Sequence, residues 1–264
     1  MNKLLNLLLR GSLVAFVLAC STPYEKGGSE VENLFNKGIA QKNERSYLLA
    51  IDTLNELKTK FSYSSYAKKA ELALADIEFE RKQYAQASAL YRIYKDSHPR
   101  DAQIPYVLLQ IGESFRLQAK KGHDRDLAGV VNAIGFYQAI LNDHPTSEFA
   151  ETAEAMLKES TQRLKDKEIY QADFYFKFKQ YQSARYRYQD LLKRFDEDEI
   201  IIKSMERIVF SSFKLKEYDK CKEFAGLYKK QFELNGWNSR NIESTEESCQ
   251  RAKRKQEAKN GENA

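Results

Sequence analysis

The stretch "KKGHDRDLAG", beginning at Lys120, gathers His123, Asp124, Arg125 and Asp126 beside a glycine. An imidazole and two carboxylates within four positions are the donor types of a metal site or an acid/base pair. The chain supplies little to complete either. It has three histidines and three cysteines, and none of the others lies near this cluster in sequence. It carries no G-x-S-x-G, no H-E-x-x-H and no phosphate-cradling glycine loop. The cluster therefore reads as structure or partner contact, with Asp126 as the N-cap of a following helix. Arg125 then serves an aspartate, a neighbouring helix terminus or a partner. No catalytic group, metal or cofactor is expected. The competing enzyme reading is a metal-dependent hydrolase built on His123, Asp124 and Asp126.

A second chemistry belongs to "VLACSTP". Lys3 and Arg10 are the only charges before it, and the apolar run from Leu13 to Ala19 is far short of a spanning helix. Leu18, Ala19 and Cys20 fit a bacterial lipobox, in which the thiol takes a diacylglyceryl group. Cleavage after Ala19 then makes Cys20 the N-terminus. The alternative is a soluble signal peptide cleaved at a small-residue site. Several acyl chains anchor stably, at about 0.8 kcal/mol per buried CH₂. Ser21 follows, where Asp would favour inner-membrane retention in Gram-negative lipoproteins. That resemblance implies the periplasmic face of the outer membrane.

Composition points to helices. Of 264 residues only 11 are glycine and 4 proline, while Tyr (16) and Phe (15) are abundant. The net charge of +5 is too weak and too mixed for nucleic acid. One pattern recurs five times. Tyr47, Ala50, Leu54, Leu57 and Phe61 form the first set. Tyr84, Ala87, Tyr91, Tyr94 and His98 form the second, and Val130, Ala133, Tyr137, Ile140 and His144 the third. Tyr181, Ala184, Tyr188, Leu191 and Phe195 form the fourth, and Tyr218, Cys221, Ala225, Tyr228 and Phe232 the fifth. The spacing 3, 4, 3, 4 is one face of an α-helix. Nine residues upstream of four leading positions stand Gly38, Ala75, Ala172 and Val209, where small side chains allow close helix approach. Each unit is thus a helix, a short turn and a second helix, resembling the tetratricopeptide repeat. The expected fold is all-α: a tetratricopeptide-repeat superhelix of five units plus a C-terminal capping helix.

Gly112 keeps this schedule in the third unit, but Val130 follows it after 18 residues instead of 9. The excess is centred on "KKGHDRD". A further delay precedes Ala172, where residues 148–179 hold no glycine or proline and can form one long helix or two. His98 and His144 occupy the column of Phe61, and Pro99 and Pro145 follow them, so both end helices. The expected divisions are signal peptide 1–19, lipidated linker 20–29, front units 30–147, long helix and back units 148–235, and polar tail 236–264. In the tail, Ser244 and Glu247 form a capping box, and Trp237 packs under the final helix. The acidic run from Asp196 reads as a solvated loop. Cys221 sits in the packing column and is expected as a small buried thiol. A disulfide with Cys249 is the alternative.

Stacked helix pairs offer grooves that bind peptides through aromatic anchors. Tyr63 and Tyr66 in "KFSYSSYA" and Tyr106 in "IPYVLLQIG" are the substrate-binding candidates. Arg185 and Arg187 in "ARYRYQDLLKR" are candidates for docking an acidic partner. Together, the lipobox, "FSYSSYA", "HPRDAQIPYVLLQIG", "DRD", "HPTSEFAETA" and "ADFYFKFKQYQSA" resemble the BamD family of the outer-membrane β-barrel assembly machinery. This chain has Ser62, Ser64 and Ser65 where that family often has prolines and a glycine. The resemblance implies a lipid-anchored scaffold and receptor for unfolded outer membrane proteins, which enter the front units through an aromatic signal strand. It also implies that the back units dock, through the position of Arg187, on a periplasmic domain of the barrel-forming subunit. Arg125 and Arg185 join Arg187 as partner-binding candidates, and further lipoproteins remain open as partners. Pilus-assembly or cell-wall scaffolds with the same repeats are the alternative.

Overall fold

The computed structural model describes residues 29–119 and 126–261. Among these, eleven helices and no strand are found. They are α1 (Glu30–Asn43), α2 (Tyr47–Lys60), α3 (Ser65–Glu80), α4 (Tyr84–Ser97), α5 (Ile104–Gln118) and α6 (Ala128–Asp143). Then come α7 (Ala150–Lys177), α8 (Tyr181–Arg194), α9 (Asp198–Lys214), α10 (Tyr218–Asn235) and α11 (Arg240–Gly261). The five sets lie on α2, α4, α6, α8 and α10, and α11 closes the series. This is the expected tetratricopeptide-repeat architecture.

The spacing is explained by burial. Ala50, Leu54 and Leu57 are buried, as are Tyr91 and Tyr94, Tyr137 and Ile140, Tyr188 and Leu191, and Tyr228 and Phe232. The upstream column is buried too: Gly38, Ala75, Gly112, Ala172 and Val209. Its purpose is close approach. A Cβ on Gly112 would stand 2.6 Å from Tyr137 Cε1, and one on Gly38 would stand 2.7 Å from Leu54 Cδ2.

The described residues fall into two compact units, one up to Gln83 and one from Tyr84 onward. In the first, α2 packs on α1 and α3. In the second, each helix from α4 to α11 packs on the next, and α9 also meets α11. These units differ from the front and back parts read from the spacing. The long spacer is a single 28-residue helix, α7, which packs on α6 as well as α8. It is thus the first of the two alternatives left open by the sequence, one long helix.

Four of the five intra-repeat turns are alike. Arg45, Lys82, Lys179 and Lys216 have φ near +60°. Each stands two residues before a leading tyrosine. The next residue donates its N–H five positions back, as in Gln83 to Glu78 and Gln180 to Tyr175, both bonds refining the same Schellman geometry. A side chain in this region costs about 1 kcal/mol or more, against glycine's smaller entropic cost. Exchanging both Lys179 and Lys216 for glycine is therefore expected to stabilise the chain by about 1 kcal/mol. Calorimetry should show Tm raised by roughly 2–4 °C.

Several sequence expectations need correction. Cys221 is not a thiol: it is disulfide-bonded to Cys249, because α11 folds back across α10 and brings Cys249 over the buried column. The last helix begins at Arg240, not at Ser244. Asn238 Oδ1 accepts from Arg240 N and Ser239 Oγ donates to Glu243 Oε1, so Ser244 is interior. The acidic run is only partly loop, since Asp198 and Glu199 form the first turn of α9, where the helix dipole favours them. Asp126 lies one residue before the N-cap and accepts from Ala128 N at 2.9 Å. His144 ends α6 as its C-cap, and Trp237 packs edge-on to Phe232 at 5.4 Å.

Candidate partner-docking site

Two buried tyrosines show how the repeats position their surfaces. The residue after the small column position is a carboxylate in three repeats, Asp76 after Ala75, Glu113 after Gly112 and Asp173 after Ala172. Tyr137 OH donates to Glu113 Oε1 at 2.6 Å, and Tyr188 OH donates to Asp173 Oδ1 at 2.6 Å. Arg116 completes the first group by donating to both oxygens of Glu113, and Lys203 completes the second through Asp173 Oδ2. These links tie α5 to α6 and α7 to α8 and α9.

Burial raises the phenols of Tyr137, Tyr188 and Tyr228, the last to about 12. The neighbouring carboxylates of Glu113 and Asp173 push the first two further up. An unfolded tyrosine loses its proton near pH 10, while the native groups keep theirs. Their contribution is thus complete below about pH 10 and is lost as pH rises beyond it. Denaturant titration should give constant stability on this account up to about pH 10 and a steep decline by about pH 12. Phenolate absorbance should lag in the native state.

Arg187 lies on α8 beside Tyr186, which is 63% exposed. Both line a depression of about 470 Å³ with Tyr175, Gln182, Ser183, Arg185 and Gln189. The two arginines differ. Arg185 is 12% exposed, and its Nη1 donates to Glu217 Oε2 at 2.6 Å and to Ser212 Oγ at 3.0 Å. That hydrogen bond holds the Glu217 carboxyl below its usual range. Arg185 is thus an internal tie from α8 to α9 and the turn after it. Arg187 is half-buried and, among the described residues, has no hydrogen-bond or ion-pair partner. Tyr186 escaped the sequence reading. Its signal was available: it falls off the column of Ala184 and Tyr188 and so leaves the core.

The substrate candidates fall in different units. Tyr63 is fully exposed at the turn before α3. Tyr66, in the first turn of α3, packs on Phe35 of α1 with ring centroids 5.5 Å apart, and Lys69 stands over its ring. Burial, then the charge of Glu32, raises its phenol. Tyr106 sits between Tyr91 and Phe149 at 6.3 and 5.7 Å, so much of its ring is packing. Cys20, His123, Asp124 and Arg125 lie outside the described residues. Among the described residues no group of three His, Cys, Asp or Glu side chains is placed to hold a metal ion. Nor is any described helix long and apolar enough to cross a membrane.

Comparison with known proteins gives these features a context. The chain is 23% identical over 182 residues to "Outer membrane protein assembly factor BamD" of Vibrio cholerae serotype O1, covering 66% of this chain and 76% of that one. It is 20% identical to the protein of the same name from Rickettsia prowazekii, over 90% of this chain and 95% of the relative. Among solved structures, the TPR2AB domain of yeast Sti1 aligns with a TM-score of 0.42 at 17% identity, over 85% of this chain and all of that one. Residues 28–224 match the family described as "YfiO: Outer membrane lipoprotein". The chain belongs to this YfiO family, to which the BamD resemblance of its motifs also points.

Proposed function

We propose that the chain is a non-enzymatic assembly factor for outer membrane proteins, anchored by lipid at Cys20 to the periplasmic face of the outer membrane. Relatives bearing that assembly-factor name support the role. In this reading the barrel-forming subunit of the assembly machinery docks its periplasmic domain on the back repeats. Unfolded outer membrane proteins offer an aromatic signal strand to the front repeats. Tyr63 presents a whole ring for that strand beside the partly packed Tyr66, and Tyr106 is a separate candidate contact in the second unit. Arg125 adds a contact from the segment before α6, and Arg185 acts from behind by fixing α8. Other lipoproteins of the machinery remain candidate partners.

One observation carries the docking: Arg187 is half-buried with no hydrogen-bond or ion-pair partner among the described residues, beside an exposed tyrosine. A guanidinium partly removed from water needs an acceptor. A carboxylate from a partner supplies one bidentately, while Tyr186 covers it from solvent. Recovery of the full chain from detergent-solubilised envelope should bring down a large barrel protein with periplasmic domains. Its absence sinks the proposed role. Arg187→Glu should weaken that association by about 2 kcal/mol or more, roughly 30-fold in Kd, with the helical signal unchanged. Full association of this variant would remove Arg187 from the interface and leave the role standing.

A further inference from the structure

Tyr170, Phe174 and Phe178 follow one another in steps of four along the C-terminal half of α7 and its cap. They are 41, 43 and 57% exposed. Ring centroids stand 6.3 Å apart from Tyr170 to Phe174 and 4.6 Å from Phe174 to Phe178. Three aromatics in contact at this spacing make a continuous apolar ridge of about 12 Å along one face of the helix. None of the three belongs to the buried column, which uses Ala172 and, one turn on, the partly buried Phe176. Exposed rings gathered in this way mark an interaction surface.

The surroundings restrict what can cover them. The ridge forms one wall of a depression of about 510 Å³, whose lining adds Phe176 and Lys177 and, from α9, Lys203 and Arg207. Asp173 is the one carboxylate in the lining, and Tyr188 and Lys203 already occupy its oxygens. Arg207 stacks on Phe176, 4.1 Å from the ring centroid, and neither it nor Lys177 has a carboxylate partner among the described residues. A second copy would bring like charge to like charge. A flat bilayer would leave the concave wall unfilled. A partner helix fits, since apolar residues at i, i+3, i+4 and i+7 match the ridge and flanking carboxylates meet the cations. None of these lining residues takes part in the depression at Arg187.

We propose that the Tyr170–Phe174–Phe178 ridge and the Lys177 and Arg207 rim form a second docking groove, for an acidic amphipathic helix of a partner protein. The probe is a synthetic helical peptide with leucines at i, i+3, i+4 and i+7 and glutamates on both flanks, titrated onto the purified full chain. A lysine-flanked version and anionic phospholipid vesicles are run beside it. The glutamate peptide should bind, and Phe174→Ser with Phe178→Ser should weaken it at least ten-fold. Lys177→Glu should weaken it several-fold and improve the lysine version. Arg187→Glu should leave it unchanged, which separates this groove from the proposed barrel-subunit contact. In the native envelope, p-benzoyl-phenylalanine at position 178 should cross-link to an acidic peptide of another protein. Equal binding of the two peptides, no binding of either, preferential binding of vesicles, or cross-links only to lipid or to a second copy would overturn the proposal.

Discussion

Replacing Gly112 with alanine is expected to destabilise the protein by about 3 kcal/mol. The added Cβ meets Tyr137 Cε1 at 2.6 Å, and that ring is fully buried with its hydroxyl tied to Glu113. The ring cannot swing away without breaking the tether. Overpacking costs about 1–3 kcal/mol and loss of a hydrogen bond to a charged group about 1.5–3, against a gain of about 1 from helix propensity. Thermal unfolding should fall by roughly 6–12 °C. Gly135→Ala is the control, because nothing lies within 4 Å of its added Cβ, and it should stabilise slightly. Gly38→Ala should fall between the two, since it meets Cδ2 and Cγ of the Leu54 side chain, which no hydrogen bond holds in place. Wild-type stability in Gly112→Ala would show that the small column does not set helix separation.

The second large effect lies at the other end of the chain. Cys249→Ser should cost about 3–4 kcal/mol, because the disulfide to Cys221 spans 28 residues and restricts the unfolded chain. Both cysteines are fully buried, so a reductant should act on the wild type only slowly under native conditions. In denaturant, reduction should lower the wild-type unfolding midpoint to that of the variant and leave the variant itself unmoved. Hydrogen exchange should accelerate first in α10 and α11. An unchanged midpoint would mean that packing of Ile242, Phe232 and Trp237 already holds the cap.

What the sequence made legible was whatever depends on neighbours within a helix or a turn. The 3, 4, 3, 4 columns became buried faces because helical periodicity alone decides which residues share a side. The spacer became one helix because nothing between Glu148 and Lys179 interrupts it. Contacts between distant segments were not legible. Glu217 stands 32 residues from Arg185, and Lys203 stands 30 from Asp173. No local pattern announces either. The disulfide was missed for the same reason, since Cys221 in its column resembles any small core residue until α11 is laid across it. The left-handed turns were hidden by chemistry: lysine and arginine fill positions where glycine or asparagine would have advertised the geometry. At the candidate docking site, Arg187 was visible by type and by its resemblance to the family. The commitment of Arg185 and the exposure of Tyr186 required the fold.

The shared left-handed turn also bears on how the chain acquires its structure in time. Where it occurs, three residues join two helices, and every hydrogen bond that closes it is made within six positions. Such hairpins are fast nuclei, formed before any long-range contact is needed. The third hairpin is different, with nine residues between Gln118 and Ala128. Tripling a connection adds about 1 kcal/mol of closure entropy, a several-fold slower encounter. Assembly therefore starts on both flanks and waits for its middle. The longer connection makes the pairing of α5 and α6 the slow step.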